Sequence, residues 1–154
     1  MSKNAIPKNY QATPYLICRN AVDALKWYCK AFGATEMVCL DDDTKKVMHA
    51  EIRIGEAAIM LADEFPDMGY KSPETIGGSA VSILVYVEDV DLIFARAIEL
   101  GAKEVMPISD QFDGDRRGTL VDPYGHIWLL ATRKEDISMD ELKLRFNKMM
   151  QSGS

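Results

Sequence analysis

Asn20-Ala21-Val22-Asp23 runs on to Gly33-Ala34-Thr35-Glu36, and Glu88-Asp89-Val90-Asp91 runs on to Gly101-Ala102-Lys103-Glu104 about 68 residues later. The chain states one pattern twice. The spacing is too long for a solenoid repeat and suits a duplicated small α+β module. Two similar halves are expected, with a cleft where they face each other.

Outward from the first copy, residues 12–18 read as a strand. Val22, Leu25, Tyr28/Cys29 and Phe32 then recur at helical spacing until Gly33 ends the pattern. Three strands follow at 36–41, 47–54 and 57–62, parted by a polar turn over 41–46 and by Gly55-Glu56. Residues 65–79, with Pro66, Gly69, Pro73, Gly77 and Gly78, have loop chemistry and read as a linker whose length suits a mobile lid.

The order then restarts. A strand at 80–87 leads to a helical stripe of Val90, Ile93/Phe94, Ala97, Ile98 and Leu100, stopped by Gly101. Strands at 104–108, 118–122 and 126–132 complete it, with Asp122-Pro123-Tyr124-Gly125 as a tight turn. Each module is βαβββ. Ser138-Met139-Asp140-Glu141 fits a capping box ahead of a further helix, whose apolar residues are expected on the chain's own sheet in preference to a partner. The organisation expected is one domain over 1–154: module one about 10–64, linker about 65–79, module two about 80–132 and C-terminal helix about 138–150.

Composition excludes several classes. The chain has 154 residues, 47% hydrophobic and 27% charged, which is the balance of a globular protein. No apolar run approaches the roughly 20 residues of a membrane span, and the start lacks a secretory apolar region, so the default compartment is the cytoplasm. Cys18, Cys29 and Cys39 form no C-x-x-C pair and no even set, and are expected to be reduced thiols. A net charge of -6 without a basic stripe argues against nucleic acid; a mildly acidic body is common among soluble proteins, and the sharper reading is a cleft that prefers cationic ligands.

Pro14-Tyr15-Leu16, Trp27-Tyr28-Cys29-Lys30-Ala31-Phe32-Gly33-Ala34, His49-Ala50-Glu51-Ile52, and the run from Asp110-Gln111-Phe112 through Gly114-Asp115-Arg116 to Gly118-Thr119-Leu120-Val121-Asp122-Pro123-Tyr124-Gly125-His126 carry a family likeness. Through them the chain resembles the vicinal oxygen chelate superfamily, which joins glyoxalase I, extradiol dioxygenases, fosfomycin-resistance enzymes and bleomycin-resistance proteins, and within it the PhnB-like branch. The resemblance implies an α+β fold of two tandem βαβββ modules curled into an open, U-shaped barrel, commonly completed by a second subunit in a homodimer. It also implies a divalent metal held by His, Glu or Gln at four equivalent places. Carried over, those places hold Thr13 and Ser82 on the leading strands and Met60 and Leu129 on the closing ones. A thioether, an aliphatic chain and two neutral hydroxyls are poor ligands for such an ion, so no metal and no other cofactor is expected.

Strand alternation selects the remaining candidates. In 47–54, Ala50, Ile52 and Ile54 form the apolar face, and His49, Glu51 and Arg53 the other. His49 and Glu51 stand about 7 Å apart, suited to general acid/base work, to ligand binding or to a displaced metal, with a salt-bridged face as the bland alternative. Tyr86 alternates with Ser82 and Leu84 as a wall residue, and Arg117 is placed to hold an anionic group or to be a solvated strand-end cation. His126, with Trp128 and Leu130, reads as structural. Three functions remain open: a metal-free protein binding a small organic ligand, a lyase or isomerase using His49 and Glu51, and a structural or regulatory dimer with a vestigial cleft.

Overall fold

The computed structural model describes residues 4–153. Its first half runs β1 (Tyr15–Cys18), α1 (Ala21–Phe32), β2 (Thr35–Asp41), β3 (Val47–Ile54) and β4 (Ala57–Asp63). A 3-10 turn (Pro66–Met68) and the short α2 (Pro73–Ile76) follow. The second half runs β5 (Ser82–Tyr86), α3 (Val90–Glu99), β6 (Lys103–Asp110), β7 (Asp115–Val121) and β8 (Ile127–Arg133), and α4 (Met139–Ser152) closes the chain. The result is an α+β fold with two βαβββ modules and a C-terminal helix.

The repeated residues act as boundary chemistry. Asn20 accepts from the Asp23 amide at the start of α1, and Asp89 accepts from the Leu92 amide at the start of α3. At the far end of α1, Gly33 adopts φ 68, a left-handed conformation that costs a residue with a Cβ. The two sheets share one topology, β1-β4-β3-β2 and β5-β8-β7-β6, with the first pair of each parallel and the others antiparallel.

By contacts the chain forms two compact units, one running through Ala80 and including Pro123–His126, the other Val81–Asp122 with Ile127 onward. In the first, Ala24, Leu25 and Tyr28 of α1 are buried, as are Leu16, Cys18, Ala50, Ile52 and Leu61 on one face of the sheet. In the second, Val90, Phe94 and Ala97 of α3 are buried together with Leu120, Trp128 and Leu130. Each fully buried large aliphatic chain contributes about 1.5–3 kcal/mol. Trp128 also satisfies its indole N–H, donating to Asp122 at 2.8 Å. Helix α3 lies close to β7 at Gly118, where a Cβ would stand 2.9 Å from Phe94 Cε2 and 2.8 Å from Ile108 Cγ1.

Several boundaries differ from the sequence pattern, each for a local reason. Strand β1 starts at Tyr15, and ahead of it the Thr13 hydroxyl donates to the Tyr10 carbonyl. Thr13 therefore precedes the leading strand. Strand β7 starts at Asp115, since Asp110 and Arg116 are already register partners. Residues 64–77 are ordered by their own contacts: Phe65 and Tyr70 exchange backbone hydrogen bonds, and Ser72 caps α2. His126 falls just before β8, its Nε2 2.9 Å from the Ile17 carbonyl oxygen. Helix α4 has no buried residue. Its side-chain contacts include Phe146 on Phe112 and Arg145 on Glu135, and its Leu142 borders a hollow with Leu84 and Tyr86 of β5.

Candidate functional site

Register decides which side chains meet on the face of the first sheet opposite α1. Tyr15 is the partner of Met60, Met60 of Glu51, and Glu51 of Val38, so one row crosses all four strands. A register shift between Leu40 and Asp41 breaks the alternation in β3. Val47 is consequently buried and Met48 is exposed. Met48 then joins Tyr15, Ile17, Ala62, Asp63, Phe65, Met68 and Tyr70 around a hollow of about 370 Å³. That size falls within the range of small-molecule pockets, and its lining is mostly aromatic and thioether.

His49 reaches the rim. Its Nδ1 lies 2.9 Å from the Tyr15 hydroxyl, with ring centroids 5.7 Å apart. Burial, and then the neighbouring Tyr70, push the Tyr15 phenol above its ordinary value, so it is neutral at physiological pH. Lys46 Nζ stands 5.1 Å above the Phe65 ring, a cation–π contact. Below the loop, Glu64 accepts from the Thr75 hydroxyl at 2.6 Å and the Ser72 amide at 2.9 Å. Those hydrogen bonds, led by Thr75, hold its carboxyl at about 2.

Glu51 belongs to a different cluster on the same face. It is 9% exposed and accepts a hydrogen bond from the Tyr10 hydroxyl. Arg53 Nη2 donates to the same phenol oxygen at 2.7 Å, its guanidinium lies 4.9 Å from the Tyr10 ring centroid, and Nη1 donates to the Glu56 carbonyl at 3.1 Å. Thus His49 is paired with Tyr15, and Glu51 with Tyr10 and Arg53. Neither Tyr10 nor Tyr15 was singled out as a site residue from the sequence.

In the second unit, Leu84 pairs with Leu129 and Leu129 with Thr119, while Ser82 and Tyr86 share the face with Leu84. Asp115, 2% exposed, is the hub. It accepts from the Tyr86 hydroxyl at 2.6 Å, from Arg133 Nε at 3.2 Å and from Arg117 Nη1 at 3.4 Å. Arg117 also donates to Asp113 at 3.0 Å, so its charge already faces two carboxylates. Arg116, on the opposite face, makes paired 2.9 Å hydrogen bonds to Asp91. A hollow of about 300 Å³ adjoins Tyr86, Asp115, Arg117 and Arg133.

Met60 and Leu129 occupy equivalent register positions, paired with Tyr15 and Leu84. The donor set at the four places inherited from the resemblance is a thioether, an aliphatic chain and two hydroxyls, and it does not fit a transition metal. Among the described residues no group of three or more His, Cys, Asp or Glu is arranged to hold a metal ion.

Two βαβββ units of identical topology define the class to which this chain belongs. Residues 11–130 match the Glyoxalase/Bleomycin resistance protein/Dioxygenase superfamily, and the chain is a member of it. A Mycobacterium bovis protein is 40% identical over 134 residues, covering 85% of this chain and 88% of its own length. Among solved structures, protein PA1353 of Pseudomonas aeruginosa matches with a TM-score of 0.68 at 26% identity, covering 81% of this chain and 98% of its own. The PhnB protein of Bacillus cereus shares the fold at a TM-score of 0.64 and 21% identity, over 79% of this chain and 98% of its own.

Proposed function

We propose that the chain is a metal-independent binder of a small aromatic molecule, seated in the hollow beside Tyr15. The observation that carries this is the lining: Tyr15, Phe65 and Tyr70 with Met48 and Met68 around about 370 Å³. Aromatic and thioether groups recognise flat apolar ligands by contact, and the net charge of -6 favours a cation over an anion of the same size. Acridine orange is a suitable probe. Fluorescence titration should show saturable binding to the wild type, weakened roughly tenfold, or about 1.4 kcal/mol, by Tyr15→Ala or Tyr70→Ala. Undiminished binding by the double variant would exclude the hollow. Both tyrosines are about half exposed, so the substitutions spare the core.

A second reading has its own observation, the 2.9 Å contact between the Tyr15 hydroxyl and His49 Nδ1 at the rim. Lyase or isomerase chemistry on this face would run through that pair, since Glu51 is engaged by Tyr10 and Arg53. Exchange of the α-protons of hydroxyacetone for deuterium, followed by NMR, tests it. Exchange by the wild type that falls to background in His49→Gln supports the reading, and a wild type at background removes it.

The binding protein is read as a homodimer. Met37 and Leu40 on edge strand β2 and Val105 and Met106 on edge strand β6 are all more than half exposed, which is an association hazard unless covered. Light scattering at micromolar concentration should give twice the 17.2 kDa chain mass. A monomer mass there contradicts it. No helix of the described residues is long and apolar enough to cross a membrane.

A further inference from the structure

We propose that Glu51 and Arg53 form a phenol-binding subsite, and that Tyr10 is its built-in occupant. The subsite is separate from the hollow, whose lining includes none of these three residues. Three features of a phenol are read at once. The Glu51 carboxylate accepts the hydroxyl proton, Arg53 Nη2 donates to the phenol oxygen at 2.7 Å, and the Arg53 guanidinium covers the ring face at 4.9 Å. Glu51 is buried in the centre of the sheet face, on a strand flanked by β2 and β4, so the acceptor is fixed by the fold.

Its occupant is tied loosely by comparison. Residues 4–14 contain no helix or strand, and residues 4–9 are exposed. The other hydrogen bonds of Tyr10 and Thr13 stay inside the segment, from the Tyr10 amide to the Pro7 carbonyl and from the Thr13 hydroxyl to the Tyr10 carbonyl. Within residues 4–14 the hydrogen bonds to the sheet run through the Tyr10 hydroxyl and, at the end of the segment, through the Pro14 carbonyl, which accepts from the Met60 amide. The fit also leaves donor capacity unused: Arg53 Nε is buried without a hydrogen-bond acceptor, its nearest carboxylate oxygen, Glu51 Oε1, standing at 3.6 Å. A tethered side chain of this kind competes as an effective concentration in the millimolar range, so a free phenol has to exceed that to displace it. The N-terminal segment then becomes a strap that a phenolic ligand releases.

p-Cresol, the tyrosine side chain without its backbone, is the direct probe. In Tyr10→Ala it should bind at least tenfold more tightly than in the wild type and raise the melting temperature, while toluene, lacking the hydroxyl, does neither. Equal affinity for the two proteins, equal effects of toluene, or no binding to the variant overturns the proposal, the last outcome marking Tyr10 as a purely structural staple. Should Tyr10→Ala fail to fold, amide exchange of residues 4–14 in the wild type decides. Tens of millimolar p-cresol should speed it and toluene should not, and an unchanged rate overturns the subsite. Because acridine orange reports on the hollow, failure of that reading shows separately.

Discussion

Asp115 shows how one side chain organises a surface. Its two oxygens receive a phenol, and two guanidinium groups, with 2% of the residue exposed. Asp115→Asn keeps the shape and removes the charge, leaving Arg117, which is largely buried, with Asp113 as its remaining carboxylate. The loss should be about 2–3 kcal/mol, read from urea unfolding; half-exposed Arg133 adds little to it. The same substitution has a spectroscopic signature. Donation to Asp115 is the first cause that holds the Tyr86 phenol above its ordinary value, so Tyr86 should ionise at lower pH in the variant, measured by ultraviolet titration. Sequence alternation placed Tyr86 on a wall, but not this partner, 29 residues away. The same holds for Tyr10 and Glu51, 41 residues apart, where only the folded register brings phenol to carboxylate.

Elements were legible where local backbone chemistry sets them. Asn20, Asp89 and Ser138 each accept from the amide three residues on, and Gly33 takes the left-handed turn that the pattern asked of it. The misses fall where long-range pairing overrides local pattern. Met48 belongs to the hollow because of a bulge that alternation alone cannot show, and residues 64–77 are held by Glu64 despite their loop composition. That anchor is pH-dependent. The Glu64 carboxyl is depressed from 4.5 to about 2, so the folded state favours its ionised form. Its contribution is complete above about pH 4.5 and is lost as pH falls towards 2. Wild type should therefore lose stability over that window more steeply than Glu64→Gln, as followed by circular dichroism melts, and parallel curves would show the anchor to be without effect.

At the level of the molecule, duplication preserved topology more faithfully than chemistry. The sheets share strand order and the caps share position, yet equivalent register positions hold His49 and Met60 in one unit and Arg117 and Leu129 in the other. The fold was readable because caps, glycines and alternation recur at one spacing. The candidate site was less so, since Tyr15, Phe65 and Tyr70, which line its hollow, meet only after folding. On the proposed reading, these residues offer a ligand contact and not coordination. Binding of acridine orange before and after exhaustive EDTA treatment therefore tests the account most directly. Metal-independent recognition predicts the same dissociation constant in both preparations; loss of binding on stripping, with recovery on adding zinc or manganese, would contradict it.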